Sequence, residues 1–379
     1  MMTSLAIILS VLLVGSIGFY GACLWFTRQF FAVSPPIADH ALTEGVSILV
    51  PICGLDEGAW ENWSGFCKQN YQSYEVLFGV VDPTDPALPM LETLANLFPD
   101  RVRLFVGLQP RGINYKDSTL SYLLESAHYE VIIFADSDIR VSPDYIQIVT
   151  EPLIDPNVGL VTCAFVAHNP QFLGAALASI GRCCDFVPSA LIARSLDGGL
   201  RFAIGATIAT RKTTLADFGG LHLDRIGSDY NLGKRAANAG YHIELSRYIL
   251  ESDTGRESVG QLVKRELRWA RTIRFNRGWI YYTMAFCYGT VYCVPLLLVS
   301  GFAHWAIGLT FATVAIRYTQ AWVAAVSLDC SNLWRWFWVL PLRDFLSFGV
   351  WVVGAFGRGV YWRGRKLRIE ADGLIKPWE

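Results

Sequence analysis

Val131-Ile132-Ile133-Phe134-Ala135-Asp136-Ser137-Asp138 reads as a buried strand that ends in a D-x-D. Five uninterrupted apolar residues fit a strand covered on both faces, and such strands belong to parallel sheets. Chemistry in these sheets gathers at the carboxyl ends of the strands, where Asp136 and Asp138 stand. Two carboxylates leaving one strand end together suit a hard divalent cation, Mg²⁺ or Mn²⁺, whose remaining shell is filled by water and phosphate oxygens. The bland alternative is a turn with a capping Asp. A phosphatase of the haloacid dehalogenase type, with an aspartate nucleophile, would continue with Thr or Val two residues after the second Asp, and Ile139-Arg140 follows here.

Upstream, Ser47-Ile48-Leu49-Val50, Val76-Leu77-Phe78-Gly79-Val80-Val81 and Val102-Arg103-Leu104-Phe105-Val106 read as companion strands, separated by helical stretches. From residue 46 to about 257 this alternation predicts an α/β domain with a mainly parallel sheet. Asp82 closes one of those strands, ahead of Pro83, as a turn former or as an acceptor for a base or sugar hydroxyl. Lys116 follows the turn Arg111-Gly112-Ile113-Asn114 and opens a helix, a place suited to phosphate or ribose contact. Asp229 opens another helix, as a cap residue or as a general base that takes a proton from an acceptor hydroxyl.

Outside that domain the chain is apolar. Hydrophobic residues make up 53% of the 379 and charged residues 17%, against about 45–50% and about 25% in soluble domains. Residues 5–26 carry no charge and are long enough to cross a hydrocarbon core of about 30 Å. They lack the basic start of a cleaved leader, so residues 1–27 are expected to be a retained anchor, followed by a linker over 28–45. Arg28, the first charge after the run, favours a cytoplasmic catalytic domain. Residues 258–280 carry Lys264, Arg265, Arg268, Arg271, Arg274 and Arg277 among Leu262, Leu267, Trp269 and Ile273, an amphipathic helix for the membrane surface. Arg265, Arg268 and Trp269 at i, i+3 and i+4 share a face, and guanidinium forks match phosphate oxygens.

Residues 281–357 hold three apolar stretches, 282–302, 304–326 and 336–356, interrupted by Arg317 and by Arg343-Asp344. Charges in such segments face a cavity or one another, so Arg343 and Asp344 either neutralise each other or meet a polar acceptor head. The basic tail, 358–379, sorts to the cytoplasmic side, whereas three full spans after a cytoplasmic domain end outside; the two arguments conflict. The formal net charge of −1 makes no whole-protein case for nucleic acid. Nine cysteines without a C-x-x-C pair, and six scattered histidines, point to reduced packing residues.

In order, Asp82, Asp136, Asp229 and Arg265-x-x-Arg268-Trp269 resemble the D, D, D, (Q/R)-x-x-R-W series of inverting glycosyltransferases of the GT-A fold. Among these the chain is similar to ceramide glucosyltransferases and, more closely, to the bacterial hopanoid-biosynthesis glycosyltransferases. The likeness is carried by Phe66-Cys67-Lys68-Gln69-Asn70-Tyr71, Phe78 through Pro86, Asp136-Ser137-Asp138-Ile139-Arg140-Val141, Gly159-Leu160-Val161-Thr162-Cys163, Phe202 through Ala209 and Glu266-Leu267-Arg268-Trp269-Ala270-Arg271-Thr272.

The resemblance implies a GT-A, Rossmann-like catalytic domain with N-terminal and C-terminal transmembrane helices, in a bacterial inner membrane. It implies a UDP-sugar donor and a membrane lipid acceptor, either a hopanoid polyol of the bacteriohopanetetrol kind or ceramide, with GlcNAc or glucose transferred. Asp82 would bind uridine, Asp136 and Asp138 would serve metal and diphosphate, and Asp229 would be the base. Arg265, Arg268 and Trp269 would lie near diphosphate and acceptor. Two positions depart from the family's pattern: Ser228 stands where an acid is usual, and Asp117-Ser118-Thr119-Leu120 replaces a Val/Ile-Ser/Asn-Asn-Leu run. A processive polysaccharide synthase and a catalytically inactive lipid-binding scaffold are the competing readings.

Overall fold

The computed structural model describes residues 4–32, 42–167, 169–252 and 255–378. Half of the expected linker, residues 33–41, lies outside the described residues. The chain divides into two compact units, one of Met1–Val33, Val166–Ala193 and Arg256–Lys366, the other of Ser34–Phe165, Arg194–Gly255 and Leu367–Glu379.

The second unit is built on an eight-stranded sheet: β1 (Val46–Ile52), β2 (Tyr74–Val80), β3 (Val102–Val106), β4 (Val131–Ala135), β5 (Ile139–Arg140), β6 (Val158–Val166), β7 (Thr207–Arg211) and β8 (His242–Ser252). Their order across the sheet is β3-β2-β1-β4-β7-β6-β8-β5. The four strands expected from the sequence are β1 to β4, and they run parallel, with Val46 opposite Tyr74 on one side and Val131 on the other. β7 then pairs antiparallel to β4, with Ala135 opposite Thr207. The sheet is therefore mixed and mainly parallel in its first half, as a GT-A fold requires. The central strands β1, β2 and β4 are buried almost throughout, and the core beneath them holds Ile48, Val50, Trp63, Phe66, Phe78, Ile133 and Tyr145.

The first unit is helical. Its main helices are α1 (Ser4–Phe31), α2 (Leu173–Ile180), α3 (Val259–Arg277), α4 (Gly289–Val299), α5 (His304–Ser327) and α6 (Leu340–Gly354). In α1 the buried residues are Ala6, Leu9, Leu13, Ser16, Tyr20, Cys23, Thr27 and Phe30, a heptad stripe of the kind that packs helix on helix. That stripe lies on α5 and α4, where Tyr20 donates to the Cys287 carbonyl and accepts from the Gly289 amide, both at 3.0 Å. The opposite side of α1 leaves Leu5, Ile7, Ile8, Val11 and Val14 exposed, as lipid contact would.

Among the described residues four helical segments are long and apolar enough to cross a membrane: Ser4–Phe31, Leu173–Leu196, Ile280–Val299 and Ser331–Gly354. The second was not singled out in the sequence, because Arg182, Asp185 and Arg194 interrupt it. The basic segment forms α3, which opens on a capping box between Ser258 and Gln261. Arg343 and Asp344 do not neutralise one another: Arg343 pairs with Glu266 and Asp185, and Asp344 with Arg317. Consecutive residues on a helix point about 100° apart, so each finds its partner on a different neighbour.

Candidate active site

Where β4 ends, the chain turns through Asp136-Ser137-Asp138 into β5. The Asp136 amide donates to the Ala206 carbonyl at 3.0 Å, and the indole of Trp63 donates to the Ser137 carbonyl at 3.1 Å. The turn is thus pinned from both sides, with Ser137 buried and both aspartates half-buried.

The helix Tyr115–Ser126 begins beside it, capped by Asn114, whose side chain accepts from the Asp117 amide. Its first turn projects Lys116, which reaches Asp136 Oδ1 at 2.5 Å and the Gly205 carbonyl at 3.3 Å. Burial opposes the ammonium, but the adjacent Asp136 more than compensates and holds the Lys116 pKa above its ordinary value.

Gly205 also donates its amide to Asp229 Oδ2 at 3.0 Å. A Cβ at 205 would stand 2.8 Å from that oxygen, so the close approach needs glycine. Asp229 lies in the first turn of the helix Ser228–Asn238. Burial pushes its carboxyl pKa up, and the charge of Lys116 pulls it partly back. Lys116, Asp117, Ser228 and Asp229 line one pocket with Ala135, Gly205, His222 and Arg235. Arg235 shapes its rim by donating to the Phe218 and Gly220 carbonyls.

The structure therefore brings Lys116, Asp136 and Asp229 together around Gly205. Asp138 stays on the same turn, two residues on. Asp82 sits at the carboxyl end of β2, exposed, its Oδ1 accepting from the Thr84 amide at 2.8 Å and hydroxyl at 2.7 Å, which hold its carboxyl below the usual range. Arg265, Arg268 and Trp269 belong to α3 in the helical unit. Arg265 pairs with Glu257 at 2.6 Å and lies over the Trp269 ring, 5.2 Å from its centroid; its Nε and Nη2 are buried and find no hydrogen-bond partner among the described residues. Arg268 lies over Trp362 at 5.7 Å. Arg271 and Arg274 are spent structurally on the carbonyls of Ala355, Phe356, Gly357 and Gly359 just beyond the end of α6.

Asp117 is the site residue that sequence reasoning noted only as a departure. It is 2% exposed and bonds to Asn114 and Ser228. Burial pushes its carboxyl up to about 7. The two departures from the family's pattern, Asp117 and Ser228, thus touch each other, which nothing in their separation along the chain could signal. Among the described residues no group of three or more His, Cys, Asp or Glu is placed to hold a metal ion.

The model of glycosyl transferase family 21 matches residues 8–375. The chain belongs to that family. This family 21 glycosyltransferase is 25% identical over 370 residues to ceramide glucosyltransferase 3 of Caenorhabditis elegans, covering 90% of this chain and 76% of that protein. It is 23% identical over 231 residues to ceramide glucosyltransferase 1 of the same organism, covering 60% of this chain and 49% of that one. In fold it is similar to a mannosyltransferase from Pyrobaculum calidifontis solved with GDP-mannose and Mn²⁺, with a TM-score of 0.53 at 18% identity, covering 92% of this chain and 97% of that one.

Proposed function

We propose that this glycosyltransferase moves GlcNAc or glucose from a UDP-sugar to the hydroxyl of a membrane lipid, a hopanoid polyol or ceramide, at the cytoplasmic face of a bacterial inner membrane. The observation that carries this reading is the placement of Asp229 in one pocket with Lys116 and beside Asp136. The printed names of the two relatives, both ceramide glucosyltransferases, support a lipid acceptor. The four apolar helical segments support a substrate held in a membrane.

In this mechanism the Asp229 carboxylate takes the proton from the acceptor hydroxyl as its oxygen attacks the anomeric carbon. The bond from that carbon to the diphosphate oxygen breaks, UDP leaves, and the sugar inverts. A carboxylate whose proton affinity is raised by burial is a better general base near neutral pH. The Gly205 amide fixes its Oδ2 and so orients the carboxylate. Lys116 carries a positive charge to the place where charge develops on the diphosphate. Asp82 contacts the uridine, and Arg265, Arg268 and Trp269 contact diphosphate and acceptor, guanidinium forks being matched to phosphate oxygens.

Asp136 and Asp138 are all-oxygen, hard donors on one turn, half-buried, and so fit Mg²⁺ or Mn²⁺. A metal bound there supplies Lewis-acid stabilisation of the departing diphosphate.

The test is to incubate the purified chain with UDP-sugars and lipid acceptors, and to follow UDP release together with the mass and anomeric configuration of the product. One inverted sugar per lipid is expected. No UDP release with any polyol or ceramide acceptor contradicts the reading, and a polymeric product replaces it with a processive synthase.

A further inference from the structure

The helical unit joins five charged side chains in one connected network, four of them buried and the fifth, Asp185, half-buried. Arg317 is 2% exposed, Asp344 3% and Arg343 6%. Arg317 Nη2 donates to Asp344 Oδ1 at 2.7 Å and to Asp185 Oδ1 at 2.8 Å. Arg343 Nε donates to Asp185 Oδ2 at 3.2 Å, and its Nη1 to Glu266 Oε1 at 2.6 Å. Asp185 therefore bridges two guanidiniums, and Arg343 passes the chain of contacts on to α3.

The surrounding elements are shaped around this network. Asp185 projects from a π-helical turn, Gly181–Phe186, that follows α2, and π turns inside helices concentrate at functional places. Gln320 donates to the Cys184 carbonyl of that turn at 2.8 Å and accepts from Arg317 at 2.7 Å. Thr290 of α4 donates to Asp344 Oδ2 at 2.6 Å, and Tyr20 of α1 lies beneath the Arg317 guanidinium. A Cβ at Gly181 would collide with the Arg343 guanidinium.

Stability alone does not account for such a network. Desolvating buried ions is costly enough that apolar replacements of similar volume are often as stable, so the use of a buried network lies in fixing one arrangement among several. Glu266 is what it fixes on α3. It lies one residue after Arg265, two before Arg268 and three before Trp269. Each residue of a helix turns by about 100°, so holding the direction of one side chain holds the direction of its neighbours.

We propose that Arg343 and Asp185, acting through Glu266, lock the rotation of α3 and are positioning residues for Arg265, Arg268 and Trp269. The inference rests on the reading above that these three face diphosphate and acceptor. A rotated α3 would still be a helix, but its guanidiniums would point away from their phosphate oxygens.

The test uses the full chain in nanodiscs with Glu266→Gln, Glu266→Leu and Arg265→Ala/Arg268→Ala, each followed by kinetics and by hydrogen exchange. Glu266→Gln keeps an acceptor for Arg343 and is expected to transfer nearly as the parent does. Glu266→Leu is expected to lower kcat on the order of 10- to 100-fold, as small misplacements of reacting groups do. Its exchange should quicken in residues 259–277 while α1 and α5 keep their protection. If Glu266→Leu leaves Arg343 uncompensated and the chain fails to fold, Glu266→Leu/Arg343→Met removes both charges and should show the same two effects.

Unchanged α3 exchange with parental kcat would overturn the proposal. So would faster exchange spread evenly over α1, α3 and α5, because that is loss of the fold rather than of one helix's rotation. Parental kcat in Arg265→Ala/Arg268→Ala would instead remove the assigned role of α3, while the exchange pattern of Glu266→Leu still decides whether the lock exists.

Discussion

Lys116 and Asp229 act on each other as charges, and this sets two expectations. Lys116 lowers a carboxyl pKa that burial raises, so Lys116→Met should move the acidic limb of the kcat profile to higher pH as well as lower kcat. A limb that stays in place or moves down would separate Lys116 from the base. Asp117, with a folded-state pKa of about 7 against about 4 for a free Asp, binds more protons folded than unfolded. Its contribution to stability is complete below about pH 4 and is lost as pH rises through 7. Asp117→Asn removes that titration, so its melting temperature relative to the parent should rise by a few degrees between pH 5 and pH 8; a difference independent of pH would argue against the raised pKa. Gly205→Ala, which places a methyl 2.8 Å from Asp229 Oδ2, should abolish transfer while the chain still folds and inserts. At this scale the sequence offers the residue types at strand and helix ends, and it was enough to single out Asp136, Lys116 and Asp229. The link through the Gly205 backbone, and the contact between Asp117 and Ser228, depend on loops that approach in space and leave no periodic trace.

Among the elements, β1 to β4 were legible because strands buried on both faces carry unbroken apolar runs. The helical segment Leu173–Leu196 was not, since its Arg182, Asp185 and Arg194 resemble the surface of a soluble helix until their partners are seen. In α3 the basic residues looked alike along the sequence, yet Arg271 and Arg274 serve the carbonyls beyond α6 whereas Arg265 pairs with Glu257 and lies over Trp269. The Arg317–Asp344 pair, both buried, offers a direct comparison. Arg317→Met alone strands an uncompensated carboxylate and should cost about 3–5 kcal/mol, whereas Arg317→Met/Asp344→Leu should recover much of that loss. Thermal unfolding in detergent of the two variants checks it; equal losses would mean that the pair itself, and not its imbalance, supports the bundle.

Across the whole molecule, α1 is more than a membrane anchor. Its heptad stripe packs on α5 and α4, and Tyr20 is bonded on both sides of its hydroxyl. Exchanging residues 4–31 for an unrelated apolar span of equal length should therefore still insert but unfold at lower temperature, and an unchanged melting temperature would reduce α1 to a tether. Family 21 membership fixes the chain as a glycosyltransferase, and the central claim about how it works rests on Asp229 as the base. The most direct measurement is made on Asp229→Asn, comparing the rate of sugar transfer to lipid with the equilibrium affinity for the UDP-sugar in the same preparation. The account predicts transfer reduced to background with donor affinity close to that of the parent; transfer that persists, or donor binding that disappears with it, would contradict it.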